Sequence, residues 1–498
     1  MTRVHDSISW QKEADVVIVG YGGAGAISAI TAHDAGANVL ILEKMPKGKE
    51  GGNTITSVGT VFAPVDVEAA IEYFRALSCG TVDEEIVQVT ARGMVKNYDT
   101  LVELGADPKG LVKRPSGEFP QLPGSQKCTA SYNTPGNGPA LFALLSGHVA
   151  RRKIEVLYQT PGKELIQGSH GEILGVMAEA NGQDFPIRAK RAVILTCGGF
   201  LFDFQMQKNY LAAWPFYCFG TPGNTGDGIR MAQKVGADLW HMANVAGPYY
   251  PAFKAPEIQT PFLINMPGNG YIFLDKQGRR FMNERKESRH GKGWQEILFF
   301  DGLRAEFPRI PWFILFDDRT RKGGPLVKKD RVLIASEVKI PVTDTWNMIV
   351  EGFPWSQDNS AEIAKGWVTR GETIAQLADR LKMEPPILEE SLLQYNRSCA
   401  QKLDPQFQRP ANTLEPIAIP PFYAIPVYPG AMNSQGGPRR NARAQIVDPR
   451  GTPIPRLYGA GECGSVWGFL YQGSGNLGEC VTFGRIAGQN AAAEKPWG

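Results

Sequence analysis

A glycine-rich stretch, GECGSVWGFLYQGSGN at residues 461–476, surrounds a single tyrosine, Tyr471. Glycine leaves the backbone N–H groups open to close approach, and the phenol of tyrosine donates a hydrogen bond from its hydroxyl group. Tyr471 and the neighbouring amides could therefore act together on an electron-rich atom of a bound molecule. The other motifs of the sequence indicate which cofactor such a molecule would contact.

Residues 15–44 read DVVIVGYGGAGAISAITAHDAGANVLILEK. The β-branched run 16–19 predicts a buried parallel strand, the alanine-rich run that follows predicts a helix, and residues 38–42 predict a second strand. This strand–helix–strand order favours a Rossmann-like α/β unit.

The glycines of this unit have the spacing of a dinucleotide-binding motif. Gly20 suits a tight turn, Gly22 lets the backbone approach a pyrophosphate, and Gly25 lets the helix pack closely on the strand. The N–H groups at the start of the helix favour phosphate, and Glu43 is placed to accept hydrogen bonds from a ribose. We therefore expect a dinucleotide cofactor, and an acid at this position disfavours the 2′-phosphate of NADP.

Several segments together resemble those of the flavoprotein subunits of fumarate reductase and succinate dehydrogenase, and of their 3-ketosteroid dehydrogenase relatives. The resemblance implies an α/β fold with a discontinuous Rossmann-like FAD-binding domain and an inserted α+β capping domain over the isoalloxazine ring. The matching segments span nearly the whole chain in family order: GYGGAGAISAI (20–30), EGGNT (50–54), LTCGGF (195–200), NTGDGIRMAQKVGA (224–237), GRRFMNE (278–284), PIPRLYGAGE (453–462) and GECVTFGRIAGQNAA (478–492).

The resemblance also implies which residues hold FAD. Glu43 is expected at the adenosine ribose, Asn53 and Thr54 beside the flavin, and Glu462 at the ribityl chain. No histidine follows the GGNT segment before His148, so non-covalent FAD is expected. The full expected set is Gly20, Gly22, Gly23, Ala24, Gly25, Glu43, Lys44, Gly52, Asn53, Thr54, Asp227, Glu462, Asn476 and Leu477.

The domain boundaries follow from shifts in composition. We predict that residues 1–238 and 418–498 form the FAD-binding domain and that residues 239–417, richer in Trp, Pro and charge, form the capping domain. Residues 372–402 show helical periodicity interrupted by two prolines, which predicts two helices. The proline-rich segment 417–430 is a candidate hinge for closure of the cap.

Tyr471 and Gly475 resemble the Y-x-x-x-G motif of 3-ketosteroid dehydrogenases, whose tyrosine hydroxyl and glycine N–H bind a substrate carbonyl oxygen. Two donors aimed at one oxygen would stabilise the enolate formed when an α-proton leaves. The alternative is that Tyr471 only packs against the flavin and the glycines only form a turn.

The base is harder to predict. The steroid enzymes carry a tyrosine four residues after the Asn-Glu of their RF-x-NE motif, but Ser288 stands there in this chain, followed by Arg289. Arg289 could transfer a proton, as an arginine of this neighbourhood does in fumarate reductases, could bind a carboxylate, or could be a solvated charge. Tyr250 is included in the catalytic set as the candidate base, with Tyr249 and Tyr132 as further candidates, and the alternative is that each of these tyrosines is structural.

The segment SQGGPRRNA contains two arginines, Arg439 and Arg440, for which two roles are open. One of them could neutralise an anionic substrate, such as a ring ketone that bears a carboxylate, or both could lie in a solvated loop.

The leading hypothesis is an FAD-dependent desaturase of a cyclic ketone, such as a 3-oxosteroid or an oxocyclohexanecarboxylate, with FAD as hydride acceptor and an external acceptor for reoxidation. The alternatives are a reductase of an unsaturated carboxylic acid and a flavoprotein that carries or senses electrons without a dedicated substrate.

The bulk composition disfavours other classes of protein. The 498 residues carry 53 basic and 50 acidic side chains, a net charge of +3, so nucleic acid and anionic membranes are not expected partners. No apolar run is long enough to span a bilayer, and the polar first residues lack the apolar core of a signal peptide. The seven cysteines have no CxxC spacing, which disfavours a disulfide framework or a metal site. A cytoplasmic enzyme without metal is the simplest interpretation.

Overall fold

The structure is a computed structural model that describes residues 8–127, 130–247, 249–256, 260–286, 290, 293–327 and 355–497. The strands are β1 (Lys12–Val19), β2 (Val39–Leu42), β3 (Thr60–Phe62), β4 (Leu111–Lys113), β5 (Ala130–Asn133), β6 (Glu155–Leu157), β7 (Gly162–Gln167), β8 (Ile173–Ala180), β9 (Gln183–Leu195), β10 (Tyr217–Cys218), β11 (Leu239–Trp240), β12 (Val245–Ala246), β13 (Tyr250–Phe253), β14 (Phe262–Leu263), β15 (Tyr271–Leu274), β16 (Trp312–Asp317), β17 (Thr369–Gly371), β18 (Phe422–Ala431), β19 (Asn433–Ser434), β20 (Gly437–Pro438), β21 (Gln445–Val447) and β22 (Pro453–Gly459). The α-helices are α1 (Gly23–Asp34), α2 (Gly52–Ile55), α3 (Val67–Ser78), α4 (Glu84–Met94), α5 (Asn97–Glu103), α6 (Asn137–Arg151), α7 (Phe204–Tyr210), α8 (Asp227–Lys234), α9 (Asp318–Lys322), α10 (Ser360–Ala364), α11 (Ile374–Leu381), α12 (Pro385–Gln401) and α13 (Gly475–Ala493).

The first large sheet contains the glycine motif. Its strands lie in the order β21, β22, β9, β1, β2, β6, and all neighbours from β22 to β6 are parallel. Strands β7 and β8 extend it as antiparallel partners from the first half of β9. The predicted strand–helix–strand unit is confirmed as β1, α1 and β2. Strand β1 starts at Lys12, earlier than predicted, because Lys12, Glu13 and Ala14 pair with β9.

Helix α13 returns the chain to this sheet and packs on α1. The approach is close because small residues face the other helix. A Cβ atom added at Gly484 would lie 2.9 Å from a side-chain atom of Ile27, and one added at Gly488 would lie 2.7 Å from the Ser28 carbonyl oxygen. Segments far apart in sequence therefore build one Rossmann-like domain, as predicted.

The second large sheet has the order β14, β13, β18, β16, β15, with β10 and β17 also paired to β18. Its side chains, with Trp312 and Phe316 among the most buried, form a separate core. Strands β13 to β17 fall inside the predicted capping segment 239–417, whereas β10 and β18 come from either side of it. The domain boundaries stay predictions.

The two helices predicted within residues 372–402 are confirmed. Helix α11 begins after Thr373, whose hydroxyl oxygen accepts a hydrogen bond from the Gln376 N–H at 3.2 Å. Helix α12 begins at Pro385 because proline is tolerated in the first turn, where its missing N–H costs no helical hydrogen bond. Within the described ranges, no helix is both long and apolar enough to cross a bilayer.

Candidate active site

A cavity of about 720 Å³ lies at the carboxyl ends of the parallel strands β1, β2 and β9. The loops that follow these strands supply residues 19–24, 42–45 and 196–198 to its wall. Ligands of open α/β sheets bind at this edge. The tyrosine-bearing stretch lines the same cavity with residues 471–474, so the two glycine-rich motifs of the sequence share one site.

The glycines of the first motif have the geometry that their spacing predicts. Gly20 has a φ of +105°, and an added Cβ would lie 2.5 Å from the Thr196 carbonyl oxygen. A Cβ at Gly25 would lie 2.1 Å from the Gly20 carbonyl oxygen, so close packing requires glycine there. A Cβ at Gly22 would have no protein atom nearer than 3.5 Å. Gly22 therefore presents bare backbone to the cavity.

Two acidic residues lie at the end of the cavity formed by β2 and α8. The Glu43 carboxylate accepts hydrogen bonds from the backbone N–H groups of Tyr21 at 3.0 Å and Met45 at 2.7 Å. Burial raises the pKa of Glu43, although these two bonds oppose the rise. Asp227 pairs with the Lys44 ammonium group at 2.6 Å.

Asn53 and Glu462 meet across the cavity from opposite ends of the chain. The Asn53 Nδ2 donates to Glu462 Oε2 at 2.7 Å, and the Asn53 Oδ1 accepts from the Thr221 N–H at 2.9 Å. Burial raises the pKa of Glu462 to about 8, despite the hydrogen bond from Asn53. Thr54 Oγ1 accepts from the Gly23 N–H at 2.9 Å and so links α2 to the start of α1.

The cavity fits FAD. Every residue predicted to bind FAD lines it except Gly25, which lies behind the motif where α1 packs on β1. Buried polar atoms normally have a partner, yet several on this wall have none among the described residues, as a polar cofactor would require. These atoms are Thr60 Oγ1, Ser131 Oγ, Asn224 Nδ2, Glu462 Oε1 and Asn476 Oδ1.

Tyr471 is buried, with 7% of its surface exposed, and lines the cavity. Its hydroxyl oxygen accepts a hydrogen bond from the Asn476 N–H in the first turn of α13 at 3.3 Å. Its ring packs edge-on against Trp467, with 5.8 Å between ring centroids. Burial raises the pKa of Tyr471 above its ordinary value. The phenol therefore stays protonated and can donate a hydrogen bond.

The structure corrects the placement of Gly475. Its N–H donates to the Gln472 carbonyl oxygen at 2.8 Å and closes the turn that begins α13. An added Cβ would lie 2.3 Å from the Trp467 ring, so packing on Trp467 explains the glycine. The predicted pair of donors, the Tyr471 O–H and the Gly475 N–H, is not brought together on one side of the cavity.

The structure also corrects the placement of Tyr250, the candidate base. Tyr250 does not line the FAD cavity but a different one, and its ring contacts Phe219, a residue that does line the FAD cavity, at 6.4 Å between ring centroids. Tyr249 and Tyr132 are buried and do not line the FAD cavity. Arg289 and Ser288 lie outside the described residues.

The two arginines of SQGGPRRNA have separate structural roles. Arg439 pairs with Asp83 at 2.8 Å near the surface. Arg440 is 1% exposed, forms an ion pair with Glu479 of α13, and lies over the Phe483 ring. Neither lines the FAD cavity. The solvated-loop alternative fits Arg439, and Arg440 is a buried structural cation.

Sequence reasoning missed three residues that line the same cavity as Tyr471: Arg114, Glu118 and His290. The Glu118 Oε1 lies 2.6 Å from His290 Nδ1 and accepts from the His290 backbone N–H at 2.7 Å. The pattern RPSGE at 114–118 resembles an ordinary loop, and His290 lies in a charged stretch. Only the fold brings these distant segments together.

A dinucleotide-binding sheet, a second sheet beside it and one cavity that collects the predicted cofactor residues define a flavin-dependent enzyme. The chain belongs to the family of FAD binding domains, whose model matches residues 15–477. Two predictions from the sequence motifs are thereby confirmed: the family and its FAD cofactor.

Named relatives cover almost the whole chain. It is 28% identical over 507 residues to a urocanate reductase of Eggerthella lenta, covering 97% of this chain and 75% of the relative. It is 26% identical over 505 residues to a fumarate reductase (cytochrome) of Shewanella frigidimarina, covering 98% and 77%. It is 26% identical over 592 residues to a 3-oxosteroid 1-dehydrogenase of Mycolicibacterium smegmatis, covering 97% and 98%.

Among solved structures, the chain is similar to a 3-ketosteroid Δ1-dehydrogenase from Sterolibacterium denitrificans in complex with 1,4-androstadiene-3,17-dione. The TM-score is 0.76 at 22% identity, covering 97% of this chain and 100% of that one. This likeness supports the fold of FAD-binding and capping parts. The protein is an FAD-dependent oxidoreductase with homologues among fumarate reductases and 3-oxosteroid dehydrogenases.

Proposed function

We propose that this oxidoreductase is a desaturase that introduces a carbon–carbon double bond α,β to the carbonyl group of a cyclic ketone. The observation that carries the proposal is the buried hydroxyl group of Tyr471. It lies in the FAD cavity, is oriented by the Asn476 N–H, and has a pKa raised by burial, so it stays a donor at neutral pH.

Tyr471 binds and polarises the carbonyl oxygen in this proposal. A hydrogen bond from its O–H strengthens as negative charge develops on that oxygen, and one such donor contributes roughly 3 kcal/mol to the lowering of the barrier. Bound FAD supplies a two-electron acceptor for the hydrogen removed from the β-carbon. An external electron acceptor then returns the enzyme to its starting state.

The cavity wall suits a ring-shaped substrate. Apolar side chains near the Tyr471 loop, those of Phe62, Met432 and Leu477, line the cavity together with the cationic Arg114. Apolar walls with a few convergent polar groups are typical of small-molecule sites. A 3-oxosteroid and an oxocyclohexanecarboxylate both fit this description, and Arg114 favours the anion. The 3-oxosteroid 1-dehydrogenase relative supports a ketone substrate.

The second candidate is a reductase of an unsaturated carboxylic acid. Two observations favour it. Two of the relatives are named as reductases, one of urocanate and one of fumarate. The cavity is also lined by Arg114 and His290, two groups able to bind a carboxylate. The buried Tyr471 phenol favours the ketone, because it offers one neutral donor where a carboxylate would prefer a cation.

The experiment compares both directions on the same FAD-loaded protein. Cyclic ketones are added and flavin bleaching is followed, with an acceptor dye for turnover, and unsaturated acids are added with reduced viologen. We expect ketones to bleach the flavin. Activity restricted to unsaturated acids would refute the desaturase proposal.

Tyr471→Phe removes the donor and keeps the ring. We expect it to lower the rate of flavin bleaching by ketones about 100-fold, in line with the loss of one oxyanion donor. The control is Tyr132→Phe, which removes a hydroxyl from a tyrosine that is 1% exposed and does not line the cavity. Equal rates for the two variants would remove Tyr471 from the chemistry.

A further inference from the structure

We infer that His290 is the group that accepts the substrate's α-proton and that Glu118 is the positioning residue that holds its imidazole. The inference rests on the proposed function, because Tyr471 is what places a ketone and its acidic C–H bond beside His290. His290 fills the role for which the sequence offered Tyr250, with Tyr249 and Tyr132 as further candidates.

The contact between the two residues is that of an oriented base. Glu118 Oε1 lies 2.6 Å from His290 Nδ1 and accepts from the His290 backbone N–H at 2.7 Å. The side chains are 16% and 30% exposed, so both are sheltered but reachable from the cavity. With Nδ1 committed to the carboxylate, Nε2 is the proton-accepting atom. Among the described residues, Nε2 has no hydrogen-bond partner.

His290 lies next to the proposed carbonyl donor. Its ring meets the Tyr471 ring edge to face, with 5.4 Å between centroids and an interplanar angle of 88°. Both residues line the FAD cavity. A carbonyl oxygen on the Tyr471 hydroxyl would therefore have its adjacent carbon within the neighbourhood of His290.

Glu118 fixes the base and the tyrosine loop with one carboxylate. Its second oxygen, Oε2, accepts from the Gly473 N–H at 2.7 Å. The loop is held again by Gln472, whose Oε1 accepts from the Glu118 N–H at 2.8 Å and from the Tyr73 hydroxyl at 2.5 Å. These bonds keep residues 471–473 and His290 in a fixed mutual arrangement.

The charge of Glu118 suits this role. Burial on its own would raise the pKa of Glu118, but the hydrogen bond from the His290 side chain, the electrostatic attraction of that ring and the backbone N–H groups of His290 and Gly473 outweigh burial and lower it. Glu118 is therefore a carboxylate at neutral pH, and it stabilises the imidazolium that forms when His290 takes a proton. A base oriented by a carboxylate is the general arrangement of activated histidines in enzymes.

The transfer of the α-proton from the ketone to His290 involves no change of oxidation state. The Cα–H bond of the ketone breaks, its proton goes to Nε2 of His290, and its electron pair spreads onto the carbonyl oxygen as an enolate. The Tyr471 O–H stabilises the enolate oxygen, and the Glu118 carboxylate offsets the positive charge of the imidazolium. The reverse step returns the proton to the same carbon.

Hydrogen exchange isolates this step from oxidation. The FAD-loaded protein is kept reduced with dithionite in D₂O, so that a ketone cannot be desaturated. Deuterium incorporation at the α-carbon of 4-oxocyclohexanecarboxylate, cyclohexanone and a 3-oxosteroid is followed by NMR. We expect the wild-type protein to catalyse exchange into at least one of them.

His290→Ala should lower the exchange rate at least 100-fold with an unchanged flavin spectrum, and added imidazole should restore a large part of it. His290→Asn retains a donor towards Glu118 and should be equally slow. The control is His148→Ala, at a histidine that bonds to the Leu104 carbonyl oxygen and does not line the cavity. Rescue by imidazole is a result that a purely structural role would not give.

Glu118→Gln should lower the exchange rate about tenfold and move the midpoint at which the rate rises with pH to a lower pH. The sign follows because the carboxylate stabilises the protonated imidazole and the amide does not. The other titratable groups of the described residues that line the cavity, among them Tyr471, Arg114, Glu462 and Cys480, are unchanged in this variant.

The outcomes separate this inference from the proposed function. If no ketone bleaches the flavin but exchange still depends on His290, the desaturase proposal is refuted and the assignment of His290 as proton acceptor stands. If a ketone bleaches the flavin and His290→Ala still exchanges at the wild-type rate, His290 is not the proton acceptor. The same conclusion follows if His290→Ala loses exchange and added imidazole does not restore it. Absence of wild-type exchange into all three ketones would overturn it as well.

Discussion

The carboxyl group of Glu462 shows how burial in the cavity sets the charge of a single residue. Its pKa rises to about 8 from an ordinary value of 4.5, chiefly because of burial. At neutral pH the group is mostly protonated in the cofactor-free protein. It can then donate a hydrogen bond to a polar ligand instead of repelling a negatively charged one.

The raised pKa of Glu462 predicts the pH dependence of stability. The native protein holds a proton that the unfolded chain releases, so stability present below pH 4.5 is lost as the pH rises towards 8. The loss amounts to a few kcal/mol at most, since a tenfold difference in proton affinity between the folded and unfolded states corresponds to about 1.4 kcal/mol. Glu462→Gln should remove it.

The measurement is the free energy of urea unfolding of the cofactor-free protein at pH 5 and at pH 8. Glu155→Gln, a change at a surface residue paired with Lys12, serves as control. A wild-type protein that gains stability between these pH values relative to Glu462→Gln would contradict the prediction.

Two glycines of the dinucleotide-binding motif should respond differently to alanine. Gly25→Ala places a Cβ 2.1 Å from the Gly20 carbonyl oxygen, so we expect the free energy of unfolding to fall by about 1–3 kcal/mol or more. Gly22→Ala meets no protein atom nearer than 3.5 Å, and should leave the cofactor-free fold intact while weakening FAD binding.

Urea unfolding of the cofactor-free variants and fluorescence titration with FAD distinguish the two effects. Equal destabilisation of both variants would show that the motif serves packing alone. Unimpaired FAD binding by Gly22→Ala would mean that the bare backbone of Gly22 does not face the cofactor.

At the scale of elements, helix α13 depends on a buried cation. Arg440 pairs with Glu479 in the first half of the helix, and both side chains are almost fully buried. Removing one partner of such a pair leaves the other charge buried and uncompensated. Arg439, its neighbour in sequence, is 32% exposed and pairs with acidic residues near the surface.

Arg440→Ala should therefore lower the free energy of unfolding by about 3–5 kcal/mol, whereas Arg439→Ala should lower it by about 1 kcal/mol or less. Thermal or urea unfolding of the two variants in parallel tests this difference. Similar values for both would show that the Arg440–Glu479 pair contributes no more than a surface pair.

The elements predicted correctly from the sequence are those whose signals lie within a short stretch of neighbouring residues. Strand β1, helix α1 and strand β2 follow one another in 31 residues, from Lys12 to Leu42, and each has its own periodicity or glycine signal. The Glu118–His290 contact joins residues 172 positions apart, so no window of sequence contains it. Tyr250 was misplaced for a related reason: its neighbourhood fits the family, but Tyr250 contacts Phe219 and lines a cavity other than the FAD cavity.

At the scale of the whole molecule, the cavity couples cofactor binding to stability. Its wall combines residues 19–24, 114–118, 219–221, 223–224, 471–474 and 476–477, and several buried polar atoms on it have no partner among the described residues. A ligand that binds only the folded state stabilises it by about 2.7 kcal/mol at a concentration 100 times its Kd. FAD should satisfy these atoms and hold the segments together.

We therefore predict a higher Tm for the protein with FAD than for the cofactor-free protein, and a smaller rise with FMN, which lacks the adenosine that Glu43 is placed to bind. Differential scanning fluorimetry at several concentrations of each compound tests this. Equal shifts with FAD and FMN would contradict the assignment of Glu43 and the glycine motif to the adenosine end.

The segments 20–54 and 460–480 both contribute residues to the same cavity, and about 400 residues separate them. During synthesis on the ribosome, the glycine turn emerges early, but the tyrosine loop and the start of α13 emerge only after the second sheet has been made. A chain that ends before this point lacks one wall of the pocket, so we expect it not to retain FAD.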